Sequence, residues 1–206
     1  MKVLLFNGSP KAKGCTYTAL SEAAKALEEN GVNSEIIHVG GNIAAGCKGC
    51  GFCAKNGKCV TNDVLNEIID KVKEADGYVF GSPVHYASAS GDITSFMDRL
   101  FYSCGGAMAY KPGCVVCSCR RGGATAALDQ LSKHLAFNNM PVVSSNYWNM
   151  VHGNTPDEIV QDEEGMQTMR VLGRNMAWLL KCIEAGKANG VAEPEKETKI
   201  KTNYIR

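Results

Sequence analysis

The sequence predicts an α/β domain: a doubly wound, five-stranded parallel sheet in the order 2-1-3-4-5, with helices on both faces. Three observations carry this. Short apolar runs of strand length alternate with segments of helical period along the chain, which is how a parallel sheet covered on both faces reads. Several of these runs end in clusters of turn formers, Asn7-Gly8-Ser9-Pro10 and Ser82-Pro83 among them. Right-handed crossovers leave few ways to connect such units, and 2-1-3-4-5 is the leading order for five strands.

Each element follows from its pattern. Val3–Phe6 is the first strand. Leu20, Ala23, Ala24 and Leu27 recur at helical spacing, so Thr16 to about Glu29 is an amphipathic helix, stopped by Asn30-Gly31. Ser34–Val39 carries Ile36, Ile37 and Val39 and is the second strand. Residues 40–62 are rich in Gly and Cys and have no period. They are too long for a routine connection, which marks them as functional. Leu65, Ile68, Ile69 and Val72 define the next helix. Gly77–Gly81 is the third strand, and Gly91 to about Tyr102 is helical. Cys114–Ser118 is the fourth strand. Leu128, Leu131 and Leu135 share a helix face, and Pro141–Ser145 is the fifth strand. Met169, Leu172, Met176, Leu179 and Ile183 give a long last helix. The domain runs over 1–185 with an insertion at 40–62. The polar tail, 186–206, is expected as an extended arm on the body or on a partner.

In this strand order the switch point lies between strands one and three, and ligands sit outside the carboxyl ends of the strands. Three loops converge there: Gly8–Thr16, Ser82–Tyr86 and Arg120–Gly123. The first leads into a helix N-terminus, where amides without acceptors and the helix dipole favour an anion. Ser9, Thr16 and Thr18 add hydroxyls, Lys11 adds a charge, and Gly14 lets the backbone close in. The loop lacks the Gly-Lys-Ser/Thr ending of the P-loop and the G-x-G-x-x-G dinucleotide fingerprint. A mononucleotide with a terminal phosphate suits it.

The formal net charge of +1 gives no basis for binding nucleic acid or an acidic membrane. No apolar run reaches the roughly 18–20 residues of a membrane span, and the N-terminus does not read as a signal peptide, so a cytoplasmic location is expected. Ten cysteines then need another explanation than structural disulfides. Cys47, Cys50, Cys53 and Cys59 are spaced C-x2-C-x2-C-x5-C within a Gly-rich stretch. Four thiolates without His fit a [4Fe–4S] cluster or zinc, and the compact triple favours iron–sulfur; a loop of free thiols is the remaining alternative. On a strand, Cys117 and Cys119 point one way and Cys114 the other, so that group offers no converging ligands. Cys114 and Cys117 are expected in the core, and Cys15, Cys104 and Cys182 as packed thiols.

The segments NGSPKAKGCT, GSPVHYASASGDITSFMDRL and RRGGATAALDQL resemble, in order and spacing, the three FMN-contact regions of the flavodoxin-like NADPH-dependent FMN reductase family. CKGCGFCAKNGKC resembles the compact motif of that family's iron–sulfur flavoproteins. The resemblance covers roughly residues 1–185. It implies that Ser9, Lys11, Cys15 and Thr16 belong to the phosphate loop, with Cys15 a departure from the usual small polar residue or Asn. It implies that Pro83, Val84, His85 and Tyr86 wrap the isoalloxazine edge, with His85 standing where Tyr or Phe is usual. Arg120, Arg121, Gly122 and Gly123 match the third loop near the flavin N1/O2 side, and Cys119 is placed beside it.

The resulting expectation is a cytoplasmic oxidoreductase that carries FMN, takes reducing equivalents from NAD(P)H as a transient donor and passes them to a small-molecule or protein acceptor, with a [4Fe–4S] cluster at Cys47, Cys50, Cys53 and Cys59 as one route. No residue need act as acid or base; positioning and flavin electronics carry the reaction. The resemblance and the extent of the surface features imply a homodimer or homotetramer, in which the cluster loop lies near a neighbouring subunit's flavin. The rival readings are an electron carrier between proteins and a thiol-based redox-sensing module.

Overall fold

The three central strands are almost wholly buried because each faces a helical layer on both sides. In β1 (Lys2–Asn7), Val3 and Leu5 point to one layer and Leu4 and Phe6 to the other. In β3 (Gly77–His85), Tyr78 and Phe80 side with Phe6, whereas Val79 sides with Leu5. Phe6 and Phe80 are register partners whose ring centroids lie 5.1 Å apart, and Phe96 closes on Phe6 at 5.0 Å. Each of these buried rings contributes roughly 1.5–3 kcal/mol relative to an exposed one.

The computed structural model describes residues 1–205. One layer consists of α1 (Cys15–Glu29), the short α6 (Pro156–Gln161) and α7 (Glu163–Ala188). The other consists of α3 (Val64–Glu74), α4 (Gly91–Met108) and α5 (Ala124–Phe137). Between them β2 (Asn33–His38), β1, β3, β5 (Gly113–Cys119) and β6 (Met150–His152) run parallel in that spatial order. The two-residue β4 (Ser88–Ala89) folds back antiparallel on the end of β3.

The doubly wound class is as predicted, with two corrections. The order gains β4, so the parallel path reads β2-β1-β3-β5-β6 in chain numbering. The last parallel strand is Met150–His152 and not Pro141–Ser145, where a single bridge joins Val142 to Gly113. Of Pro141–Ser145 only Val143 is buried, and Pro141 has no N–H to give to a ladder. The chain then turns away, held by Asn175 Nδ2 donating to Ser144 C=O at 2.8 Å, and returns to the sheet at Met150.

The alternation expected of the β5 cysteines holds: Cys114 packs in the α1/α7 layer, Cys117 and Cys119 in the other. Burial pushes the Cys117 thiol up to about 12 and the Cys114 thiol further. Cys104 is buried and Cys15 half-buried, but Cys182, expected among the packed thiols, is exposed on α7.

Within 40–62 a short helix, α2 (Phe52–Asn56), interrupts the irregular chain. The tail beyond α7 has no regular structure as far as residue 205, and Arg206 of the expected arm lies outside the described residues. Lys187 pairs with Glu193 at 3.0 Å, and Lys199 lies 3.7 Å over the Phe137 ring. Among the described residues no helix is long and apolar enough to cross a membrane.

Candidate functional site

The first loop is shaped by a residue that the sequence reading missed. Asn7, fully buried at the end of β1, accepts the Ser9 amide on Oδ1 at 3.1 Å and donates from Nδ2 to Ala12 C=O at 3.1 Å. Its own carbonyl accepts the amides of Val39 and Gly40 at 2.9 and 3.0 Å, which ties the end of β2 to the same loop. His38 Nε2 donates to Ser9 C=O at 2.8 Å. Gly40 is required here: a Cβ would collide with the Ser9 carbonyl. Asn-Gly after an apolar run signals a turn, but not that its side chain would organise the loop.

Ser9 is buried and its Oγ accepts the Lys11 amide at 3.1 Å, leaving the hydroxyl proton to give; Lys11 itself is exposed. Gly14 is the N-cap of α1, with extended backbone and no side-chain cap. The amides of the first turn, Cys15 to Tyr17, therefore have neither a helical acceptor nor a capping side chain. Thr16 is buried, its hydroxyl 2.9 Å from that of Ser118 on β5. Thr18, expected to offer its hydroxyl to a ligand, donates it back to Gly14 C=O at 3.3 Å. Burial raises the Cys15 thiol, which donates weakly to Gly153 C=O at 3.9 Å.

The second loop is a hairpin. His85 pairs with Ser88, and Tyr86 and Ala87 between them both have positive φ, 49° and 58°, the pattern of a type I′ turn. Pro83 and Val84 are half-buried at its base, and His85 and Tyr86 are exposed. Ser82 Oγ accepts the Ser90 amide at 3.0 Å, and Ser90 Oγ donates to Gly8 C=O at 2.9 Å, so hairpin and first loop are bonded together.

The third loop closes on the hairpin. Gly123 sits at φ 90°, so close to Ala87 and Val84 that a Cβ would lie 2.6 Å from the Ala87 Cα. Arg120, Arg121 and Gly122 are exposed, and neither arginine forms an ion pair among the described residues. Cys119 is buried beneath them; burial raises its thiol against the Arg121 and Ala124 amides that donate to the sulfur. The three predicted loops thus meet at the carboxyl ends of β1, β3 and β5.

The cysteine stretch lies apart from this crevice. Cys47, Cys50, Cys53 and Cys59 all line one cavity of about 270 Å³, walled on the other side by Arg99, Tyr102 and Ser103 of α4. Gly49 and Gly51, at φ 63° and 70°, turn the chain on either side of Cys50. Cys47 and Cys50 are exposed, and Cys53 Sγ donates to Tyr102 C=O at 3.5 Å. Among the described residues no three metal-ligating side chains are gathered as a ligand set, so the four thiols share a cavity without converging. The donor set nevertheless suits a sulfur-bound centre. Cys59 accepts the Arg99 Nε–H, and Ser103, whose residue also lines the cavity, has a buried hydroxyl with no partner.

One end of this stretch is firmly fixed, by residues that spacing alone did not single out. Arg99, 1% exposed, grips Asp63 through two bonds of 2.6 and 2.9 Å and donates from Nε to Cys59 Sγ at 3.2 Å. Its remaining N–H groups reach the Ala45 and Thr61 carbonyls. Asp63 caps α3 and accepts the Ala44 amide. Asn66 brackets the Cys59 backbone, accepting its amide and donating to its carbonyl, both at 2.9 Å. Burial alone would raise the Cys59 thiol, but bonds from Arg99 and Thr61 outweigh it and hold it below the ordinary range. Burial would also raise Asp63, and Arg99 with the Ala44 and Leu65 amides reverses that. The available signal was Arg99 itself, a charge three residues after the buried Phe96.

The profile of the NADPH-dependent FMN reductase family matches residues 1–155. An iron–sulfur flavoprotein of Methanocaldococcus jannaschii is 33% identical over 198 residues, spanning 89% of this chain and all of its own length. An iron–sulfur flavoprotein of Methanosarcina thermophila is 25% identical, over 91% of this chain and 99% of its own. Among solved structures, a flavodoxin, WrbA-like protein of Agrobacterium tumefaciens superimposes with a TM-score of 0.64 at 14% identity, over 88% of this chain and 97% of its own, a likeness of fold. The chain belongs to the NADPH-dependent FMN reductase family, in its iron–sulfur flavoprotein branch.

Proposed function

We propose that this flavin-dependent oxidoreductase or electron carrier takes reducing equivalents from NAD(P)H onto FMN and delivers them to a small-molecule or protein acceptor, and that Cys47, Cys50, Cys53 and Cys59 are the residues that would hold a [4Fe–4S] cluster as one route. The observation that carries the reading is the junction of three loops over an uncapped α1 N-terminus. Bound FMN supplies hydride acceptance and one-electron release, and a cluster supplies one-electron transfer. The chain's own part is to bind and orient. The first-turn amides, the Ser9 hydroxyl and Lys11 would hold the phosphate. The hairpin at Pro83–Tyr86 would flank the ring system, and Arg120 and Arg121 would favour negative charge on it. No side chain in the crevice is required as acid or base. Donor and acceptor would take turns at one exposed face, in a cytoplasmic homodimer or homotetramer whose subunits bring a cysteine cavity to a neighbour's crevice.

Protein purified without oxygen should be yellow, contain one FMN per chain and oxidise NADPH when given a quinone. Failure to bind FMN at micromolar concentration would overturn the reading. A second reading, an electron carrier between proteins, is favoured by the exposure of Cys47 and Cys50 at the surface. It predicts flavin and cluster but negligible steady-state turnover with NADPH. Light scattering at micromolar concentration tests the oligomer, and a monomeric mass counts against it.

A further inference from the structure

Two residues of helix α4 that carry hydrogen-bond donors line the cysteine cavity, and neither belongs to the cysteine motif. Arg99 and Ser103 are four residues apart and so lie on one face of the helix. Arg99 Nε donates to Cys59 Sγ, while both of its terminal nitrogens are bonded to Asp63 and to backbone carbonyls. That fixed geometry aims Nε at the sulfur, and Asp63 offsets the charge, so what reaches the cavity is chiefly a directed N–H. The Ser103 hydroxyl is buried with no partner, although its residue lines the same cavity. A buried hydroxyl without a partner is unfavourable, and a sulfur-rich centre in the cavity that its residue lines is the acceptor that would satisfy it.

We infer that Arg99 and Ser103 are positioning residues that set the reduction potential of the sulfur-ligated centre in this cavity. The inference rests on the cluster reading above. Hydrogen bonds to cluster or ligand sulfurs spread the charge added on reduction, which stabilises the reduced form and raises the potential. The α4 donors would thus make the centre a better electron acceptor than the four thiolates alone would.

The test uses full-length protein reconstituted anaerobically with iron and sulfide, titrated with a chemical reductant and followed by electron paramagnetic resonance. Iron content and the thermal midpoint are recorded on the same samples. Ser103→Ala removes only the hydroxyl. It should load iron as wild type does, yet hold the added electron about tenfold less well, a fall of about 59 mV for a one-electron couple. Ser103→Thr should keep the wild-type potential. Arg99→Lys retains a charge against Asp63 but loses the directed N–H, and should also lower the potential. Fully loaded Ser103→Ala and Arg99→Lys proteins with the wild-type potential would overturn the inference and leave the cluster reading intact. An equal fall in Ser103→Thr would overturn the role of the hydroxyl in favour of packing. A wild-type protein that takes up no iron and sulfide would overturn the cluster reading, and this inference with it.

Discussion

The crevice at the strand ends and the cysteine cavity beside α4 are held in opposite ways. The crevice is built from backbone: Asn7, Ser82 and Ser90 stitch three loops together, and glycines let those loops touch. Its shape follows from the sheet and does not depend on any one long side chain. The cavity is built from a stretch with little regular structure, fixed at one end by Arg99, Asp63 and Asn66 and exposed at Cys47 and Cys50. A site made of packed backbone exists before its ligand arrives, whereas a site made of a tethered loop needs its ligand to gather the last donors.

The sharpest break of this contrast is Arg99→Met. Removing one partner of a buried ion pair leaves Asp63 charged and unpaired, and the expected loss is about 3–5 kcal/mol. Urea unfolding should register it, and limited proteolysis should cut first within 40–62 with the crevice still closed. On the other side, Gly40→Ala forces the end of β2 off the Ser9 carbonyl. It should cost up to about 3 kcal/mol and weaken FMN binding, read by fluorescence titration, while iron uptake by the cavity is unchanged. Thr16→Val strands the Ser118 hydroxyl in the core and should cost about 1–2 kcal/mol, seen as a lower urea midpoint.

How much of this was legible beforehand differs between the two regions for a physical reason. The crevice loops lie at strand ends, and strands and helices announce themselves by period, so Ser9, Thr16, Pro83 and Gly123 fall where the pattern puts them. The fifth strand failed because Pro141–Ser145 has the apolar content of a strand but meets the sheet in a single bridge, Val142 to Gly113, before the chain turns away. Thr18 failed because a helical hydroxyl can turn to its own backbone. In the cavity the thiols were legible by spacing, but Asp63, Asn66, Arg99 and Ser103 were not. They come from other elements, and only the fold brings them to the loop.

Acid should sharpen the contrast more gently. The Asp63 carboxyl is held below its ordinary value of 3.8, so its contribution is complete above that value and is lost as pH falls through the lower, folded one. The thermal midpoint should drop on that limb. Asp63→Asn should be less stable at neutral pH but show a flatter acid limb. The smallest effect on stability is expected at the crevice rim. Arg120→Ala and Arg121→Ala, on exposed side chains, should leave the thermal midpoint unchanged within about 0.5 kcal/mol. Their expected signature is a lower potential of bound flavin in a redox titration.

The fully buried Cys114, on the middle strands of the sheet, gives the molecule an internal clock. Neither its neighbours nor its raised thiol allow attack while β5 stays paired. An alkylating reagent must therefore wait for the sheet itself to part, whereas Cys47, Cys50 and Cys182 can be spent at once. When reclosing outpaces the chemistry, the labelling rate at Cys114 is the reagent's intrinsic rate multiplied by the open fraction. Mass spectrometry of that single peptide over hours would then report the open fraction of the whole domain, and so its opening free energy, under native conditions, without denaturant and without an engineered probe.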